Sequence, residues 1–98
     1  MNFLNNQQLW WQKLENNCFA VGFTQMMLDE MENLSYIILS TNQAEADEEF
    51  IEVEAQKATF AFSLPFASEV IEDATMEYLA KPSADKKFMI VKTKEFSN

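Results

Sequence analysis

Ile51-Glu52-Val53-Glu54-Ala55, then Gln56-Lys57-Ala58, then Thr59-Phe60-Ala61-Phe62-Ser63-Leu64: along this stretch the side chains change character with a period of two. Ile51, Val53 and Ala55 alternate with Glu52 and Glu54, and beyond the break Phe60, Phe62 and Leu64 alternate with Thr59, Ala61 and Ser63. A period of two belongs to a strand with one face on a core and the other in water. The stretch therefore predicts a β-hairpin whose strands share a buried face, joined by a three-residue turn with Lys57 at its centre. A slip of one residue would bury the glutamates, so the register is expected to be well defined.

Short elements continue on both sides. Residues 9–14 and 18–23 read as strands around an Asn16-Asn17 turn, a residue pair that tolerates left-handed backbone. Thr24 has the chemistry of a helix N-cap. The stretch from Gln25 to Asn33 then carries Met26, Met27 and Met31, with Leu34 just beyond, at helical spacing, and Asp29, Glu30 and Glu32 outward. A methionine stripe at that spacing is core packing before it is a cofactor box. Tyr36 to Leu39 reads as a strand, Thr41 to Glu49 as an acidic loop, Val70-Ile71 as the start of a strand, Thr75 to Ala80 as a short helix and Phe88 to Val91 as a last strand. Gly22 is the one glycine, Pro65 and Pro82 are the two prolines, and there is no repeat or linker. The expectation is one domain over residues 1–98, mainly β with small α additions, folded as a flattened β-barrel or sandwich.

Composition narrows the function. The sixteen acids outnumber seven bases, all of them lysine, for a net charge of −9. Residues 1–80 hold a net −12 and residues 81–98 a net +3. Such a surface repels phosphate, so nucleic acid and anionic membrane are unsuitable partners and basic-faced proteins are the natural ones. No apolar run is long enough to span a membrane, and residues 1–9 are polar and uncharged rather than signal-like, so the expected location is the cytoplasm. The lone Cys18 fits a reducing compartment and reads as a small buried hydrophobe, because a chain without histidine or arginine offers it no activating partner. Glu45, Asp47, Glu48 and Glu49 lack the glycine and spacing of a calcium loop and read as a solvated loop, so no metal is expected. Nucleophile elbows, phosphate-binding glycine loops and zinc spacings are absent, and paired carboxylates have no pocket signature behind them. The chain reads as a non-catalytic protein.

That leaves Lys57, the one base between Lys13 and Lys81. A lysine on a hairpin turn is ordinarily a solubilising charge. The twelve residues before it carry six acids, which favour the ammonium form. A self-activated Schiff-base amine needs the opposite. Lys57 suits instead a lysine modified by another enzyme that brings its own base and reads the acidic hairpin.

Glu54-Ala55-Gln56-Lys57-Ala58, followed by Pro65 and Val70, resembles the lipoyl-lysine region of the glycine-cleavage H proteins. Trp11 corresponds to that family's N-terminal tryptophan, Val21-Gly22-Phe23-Thr24 to its Val-Gly-Ile-Thr strand end, and Phe88-Met89-Ile90 to a late strand. The helix through Asp29 to Leu34 and the strand at Tyr36 fall at the family's distances. The resemblance implies a lipoyl/biotinyl-domain fold of the barrel-sandwich hybrid type and a lipoate held as an amide on Lys57, with Glu54, Ala55 and Ala58 supporting recognition. It also implies a lipoate ligase or a lipoyl or octanoyl transferase as one partner and lipoamide-dependent enzymes as others. The chain departs from the pattern at Leu9-Trp10-Trp11, which replaces His-Glu-Trp, at Glu32 and Ser68, which replace turn glycines, and between Ala80 and Lys87, which is shortened. A non-glycine residue held in left-handed geometry costs roughly 1–2 kcal/mol, so these turns are expected to be reshaped. The departures resemble a divergent H-like bacterial branch that relays lipoate beside ADP-ribosylating and macrodomain proteins. In that branch's logic Asp29 is a candidate ADP-ribosylation site, against its plainer reading as a solvated helix acid. An authentic H protein shuttling an aminomethyl group, and an unmodified interaction module, are the alternatives.

Overall fold

Alternation and turn chemistry set the order of elements. The computed structural model describes residues 3–93, which run β1 (Phe3–Asn5), β2 (Leu9–Lys13), β3 (Cys18–Phe23), α1 (Gln25–Met31), β4 (Leu34–Leu39), β5 (Gln43–Ala44), β6 (Ile51–Ala55), β7 (Thr59–Phe62), β8 (Ser68–Asp73), α2 (Thr75–Ala80) and β9 (Met89–Lys92). Two antiparallel sheets result, one ordered β1-β2-β3-β9-β8-β5 and the other β4-β6-β7. They pack as a sandwich and no barrel closes, so of the two architectures expected the open one forms.

Each turn has a local cause. Between β2 and β3, Asn16 and Asn17 adopt φ of 59° and 58°, and Leu14 N–H closes the hairpin on the Cys18 carbonyl at 2.8 Å. Left-handed backbone is least costly for asparagine among residues with a Cβ. Thr24 caps α1, its hydroxyl oxygen accepting from Met27 N–H at 3.2 Å. On this helix Met27 and Met31 are buried one turn apart and Leu28 packs beside them. Met26 is 56% exposed, which corrects the stripe expected from sequence. A position adjacent to Met27 is rotated by about 100° and cannot share its face. The helix also ends earlier than expected, at Met31, because Glu32 turns the backbone to φ 63° and ψ −88° and releases Leu34 into β4.

The core is the contact between sheets. Trp11, Phe19, Val21 and Phe23 from the larger sheet meet Ile37, Ile51, Val53 and Phe62 from the smaller one. Phe23 joins the layers, 5.4 Å from Phe62 and stacked on Phe88 at 4.6 Å between ring centroids. Tyr78 of α2 closes one end against both Phe23 and Phe88, its hydroxyl donating to the Ser83 carbonyl at 3.1 Å.

The β6–β7 hairpin keeps the register that alternation requires, with Ile51 opposite Phe62 and Val53 opposite Phe60. Ile51, Val53, Phe62 and Leu64 are buried, Glu52 and Thr59 are exposed, and Phe60, nearer the turn, is half-buried against the core. The turn spans the three residues expected, Gln56, Lys57 and Ala58, between the end of β6 and the start of β7. Ala55 N–H donates to the Ala58 carbonyl at 3.0 Å across it, and none of the three residues has positive φ. The Gln56 amide is directed outward to the Asn33 carbonyl at 2.8 Å, so the reversal is held from outside the hairpin.

Sequence periodicity missed β1 and β5, since strands of three and two residues hold too few alternations to register. Ala44 pairs with Ser68, which gives the expected acidic loop a short β segment. Ser68 itself lies buried at the start of β8 with no positive φ, its hydroxyl donating to the Phe66 carbonyl at 3.1 Å, so no left-handed residue is needed there. At Glu32, by contrast, the left-handed backbone remains, at φ 63°. Cys18, first in β3, is partly exposed rather than buried, its thiol facing the Asn16 carbonyl at 3.5 Å.

Candidate functional site

Lys57 stands at the reversal, its side chain 66% exposed, and its Nζ lies 2.8 Å from Oε1 of Glu32. The sequence pointed to the acids before Lys57 as the charges around it, and the family resemblance gave Glu54 a part in recognition by partner enzymes. Among the described residues the ion pair of Lys57 is with Glu32 rather than with one of these acids. Glu54 projects from the outer face of β6 and accepts a hydrogen bond from the Tyr36 hydroxyl, and that bond, followed by the charge of Glu54, burial and the charge of Glu52, raises the Tyr36 pKa above the ordinary tyrosine value. The two other support residues divide similarly: Ala55 is buried on the core face, while Ala58 is exposed and completes the backbone contact that closes the turn.

The corner after α1 supplies the acid that pairs with Lys57. Asn33 accepts the Gln56 amide through its carbonyl, and its side-chain amide donates to Oε1 of Gln56. The corner is itself anchored, because α1 is capped at its start by Thr24, whose amide donates to the Gln8 carbonyl at 3.1 Å, and at its end by Glu32, whose amide donates to the Leu28 carbonyl at 3.0 Å. Two backbone reversals are thereby fixed in register, and the ion pair lies across their outer edge. At φ 63° and ψ −88° Glu32 occupies a conformation that disfavours any residue with a Cβ by roughly 1–2 kcal/mol. An exposed ion pair returns about 0–1 kcal/mol. Glu32 thus stabilises the fold by less than its backbone costs. The sequence marks Glu32 as an outward helix acid and as a replaced turn glycine; it lies past the helix end as the C-cap, and the glycine position is the signal that points to the corner. Asn33 and Tyr36 gave no such signal.

The remaining candidates lie apart. Asp29 is exposed on α1 and accepts from the Gln25 side-chain amide at 2.8 Å, the geometry of a solvated helix acid. Among the described residues no group of three or more His, Cys, Asp or Glu is arranged to hold a metal ion. In the acidic loop one Glu48 carboxylate oxygen accepts from the Glu45 amide at 2.8 Å. Tyr36, Ile38, Glu52, Glu54 and Phe60 line a shallow groove of about 380 Å³ on the outer face of the smaller sheet. Among the described residues no helix is long and apolar enough to cross a membrane. The geometry at Lys57 has a definite chemical capacity: a primary amine on a hydrogen-bonded hairpin tip, its side chain 66% exposed to solvent, that can be acylated without displacing any packed group.

By sequence the chain matches no family model and no curated protein. By fold it is similar to a glycine cleavage system H protein from Mycobacterium marinum, with a TM-score of 0.74 and 16% identity over 94% of this chain and 83% of that one. The likeness is one of fold, and it extends over both sheets.

Proposed function

We propose that this protein is a lipoyl carrier whose Lys57 takes lipoate as an amide and presents it to partner enzymes. The observation that carries this is the position of Lys57: an exposed amine at the middle of a three-residue hairpin turn, in a fold similar to that of an H protein, held by the Asn33–Gln56 contacts. The residues fit the group, because the reversal projects from the sandwich and an acyl chain on Nζ meets no side chain it must expel. The dithiolane of lipoate supplies the group-transfer and redox chemistry. The chain's own part is to hold the root of the arm rigid and to mark it for a lipoate ligase or a lipoyl or octanoyl transferase. Those enzymes, and the lipoamide-dependent enzymes that follow, would meet a surface of net charge −9, which favours fast encounter with basic partners. No side chain is assigned a catalytic role.

Within this reading the relay form is preferred to a glycine-cleavage subunit, since Glu32 and Ser68 stand where the family resemblance has turn glycines and the segment before Phe88 is short. ADP-ribosylating and macrodomain proteins are partners of that form alone, with Asp29 as the acceptor. The first test is labelling. Incubation with a lipoate ligase, lipoate and ATP should add one lipoyl mass to the wild type and none to Lys57→Arg, which should stay folded. Label persisting on Lys57→Arg, at Lys81, Lys86 or Lys87, would overturn the assignment.

A further inference from the structure

Glu32 raises a question that stability does not answer. Its backbone takes a conformation suited to glycine, and its side chain returns only a solvent-exposed ion pair, 46% exposed on the glutamate side. Among the described residues its ion pair is with Lys57. The register between the two is set independently of that pair, by the Gln56 amide on the Asn33 carbonyl and by the bond between their side chains. Loss of charge at residue 57 therefore leaves the two turns together and leaves the carboxylate where it was, without its cation.

Acylation produces that loss. An acyl group activated as an adenylate or a thioester reacts at Nζ, so that a C–N bond forms and the C–O or C–S bond breaks with its electron pair leaving on AMP or the thiol. The ammonium gives up two protons on the way to the neutral amide. Residue 57 passes from +1 to 0 and Glu32 remains at −1. The neutral pair at the root of the arm becomes a single exposed negative charge.

We infer that Glu32 is a specificity-determining residue that distinguishes the modified carrier from the unmodified one. With a free amine the carboxylate is engaged by Lys57. With an amide it is released beside the arm, and a lipoamide-using enzyme with a lysine or arginine at the mouth of its active site takes it as a docking contact. Unmodified protein, whose carboxylate is already paired, then competes poorly for the same enzyme. The inference rests on the lipoyl-carrier reading and adds to it a reason for the glutamate. Charge-assisted contacts of this kind act chiefly on encounter and docking, so the effect belongs in KM rather than kcat, and salt should erode it.

The experiment uses the full chain, lipoylated by a ligase and confirmed by intact mass, as substrate for dihydrolipoamide dehydrogenase from its own host. Wild type, Glu32→Gln, Glu32→Asp and Glu32→Gly are compared at low and high salt. Glu32→Gln and Glu32→Gly should raise KM about 3- to 10-fold at low salt with kcat retained, Glu32→Asp should recover part of the loss, and the differences should shrink at high salt. Glu32→Gly separates charge from structure, because it relieves the backbone while removing the carboxylate. As unlipoylated competitors, Lys57→Gln, which frees the carboxylate, should inhibit more strongly than Lys57→Arg, which keeps a cation beside it. Equal KM for wild type and Glu32→Gln, or equal inhibition by the two Lys57 variants, would overturn the inference. Failure at the labelling step instead removes the carrier reading, and the two failures are told apart by mass before any kinetics are run.

Discussion

Gly22→Ala puts the packing of the larger sheet to a quantitative test. Gly22 has ordinary strand dihedrals, so its role is space. A Cβ at this position would stand 2.3 Å from Cζ2 and 2.5 Å from Cε2 of Trp10, and 2.5 Å from the Lys86 carbonyl oxygen. The carbonyl cannot withdraw easily, because the segment that carries it is tied at both ends, by Trp10 Nε1 donating to the Ala84 carbonyl at 2.9 Å and by the Phe88 amide donating to the Val21 carbonyl at 2.8 Å. The indole has to move instead. Overpacking of this kind costs about 1–3 kcal/mol, and breaking the indole hydrogen bond adds about 0.5–1.5 kcal/mol. The smaller entropy of an unfolded alanine returns about 0.4–1 kcal/mol, so the net loss should be about 2 kcal/mol. Urea unfolding followed by tryptophan fluorescence measures it, with the midpoint lowered and the slope unchanged. Trp10→Phe in the Gly22→Ala background removes the indole ring atoms that clash, so the double variant should be less destabilised than the sum of the single ones. A loss under about 0.5 kcal/mol, or strict additivity, would refute the steric account.

Three further outcomes follow from the geometry. Phe62→Ala should cost about 3–5 kcal/mol, the half-buried Phe60→Ala clearly less, and the exposed Thr59→Ala under about 0.5 kcal/mol, and equal losses in chemical unfolding would contradict the observed register. Burial pushes the Tyr78 hydroxyl up to about 12, above its unfolded value of about 10; the folded state holds this proton more tightly, so its contribution is intact below about pH 10, falls between about 10 and 12, and should be missing from the alkaline stability profile of Tyr78→Phe. Glu32→Gly should be at least as stable as wild type by thermal unfolding and more stable than Glu32→Gln, which keeps the backbone strain and loses the pair; the reverse order would show that the positive φ is not a cost.

Local chemistry determined much of this molecule. Alternation from Ile51 to Leu64 specified a hairpin, its two faces and the place of Lys57, because strand geometry repeats every two residues whatever surrounds it. Asn16-Asn17 and Thr24 likewise announced a turn and a cap that form within a few residues of chain. Tertiary structure alone decided the partner of Lys57. The sequence placed six acids just before it, yet Glu52 and Glu54 alternate onto the outer sheet face with Tyr36, and the cation meets Glu32 from another element. It also decided that Glu32 adopts left-handed backbone while Ser68 does not, that Met26 faces solvent, and that Ala44 joins a strand to Ser68. Each of these depends on which corner of the chain is carried against which, and that follows from packing two sheets on one core, a constraint that no local period encodes.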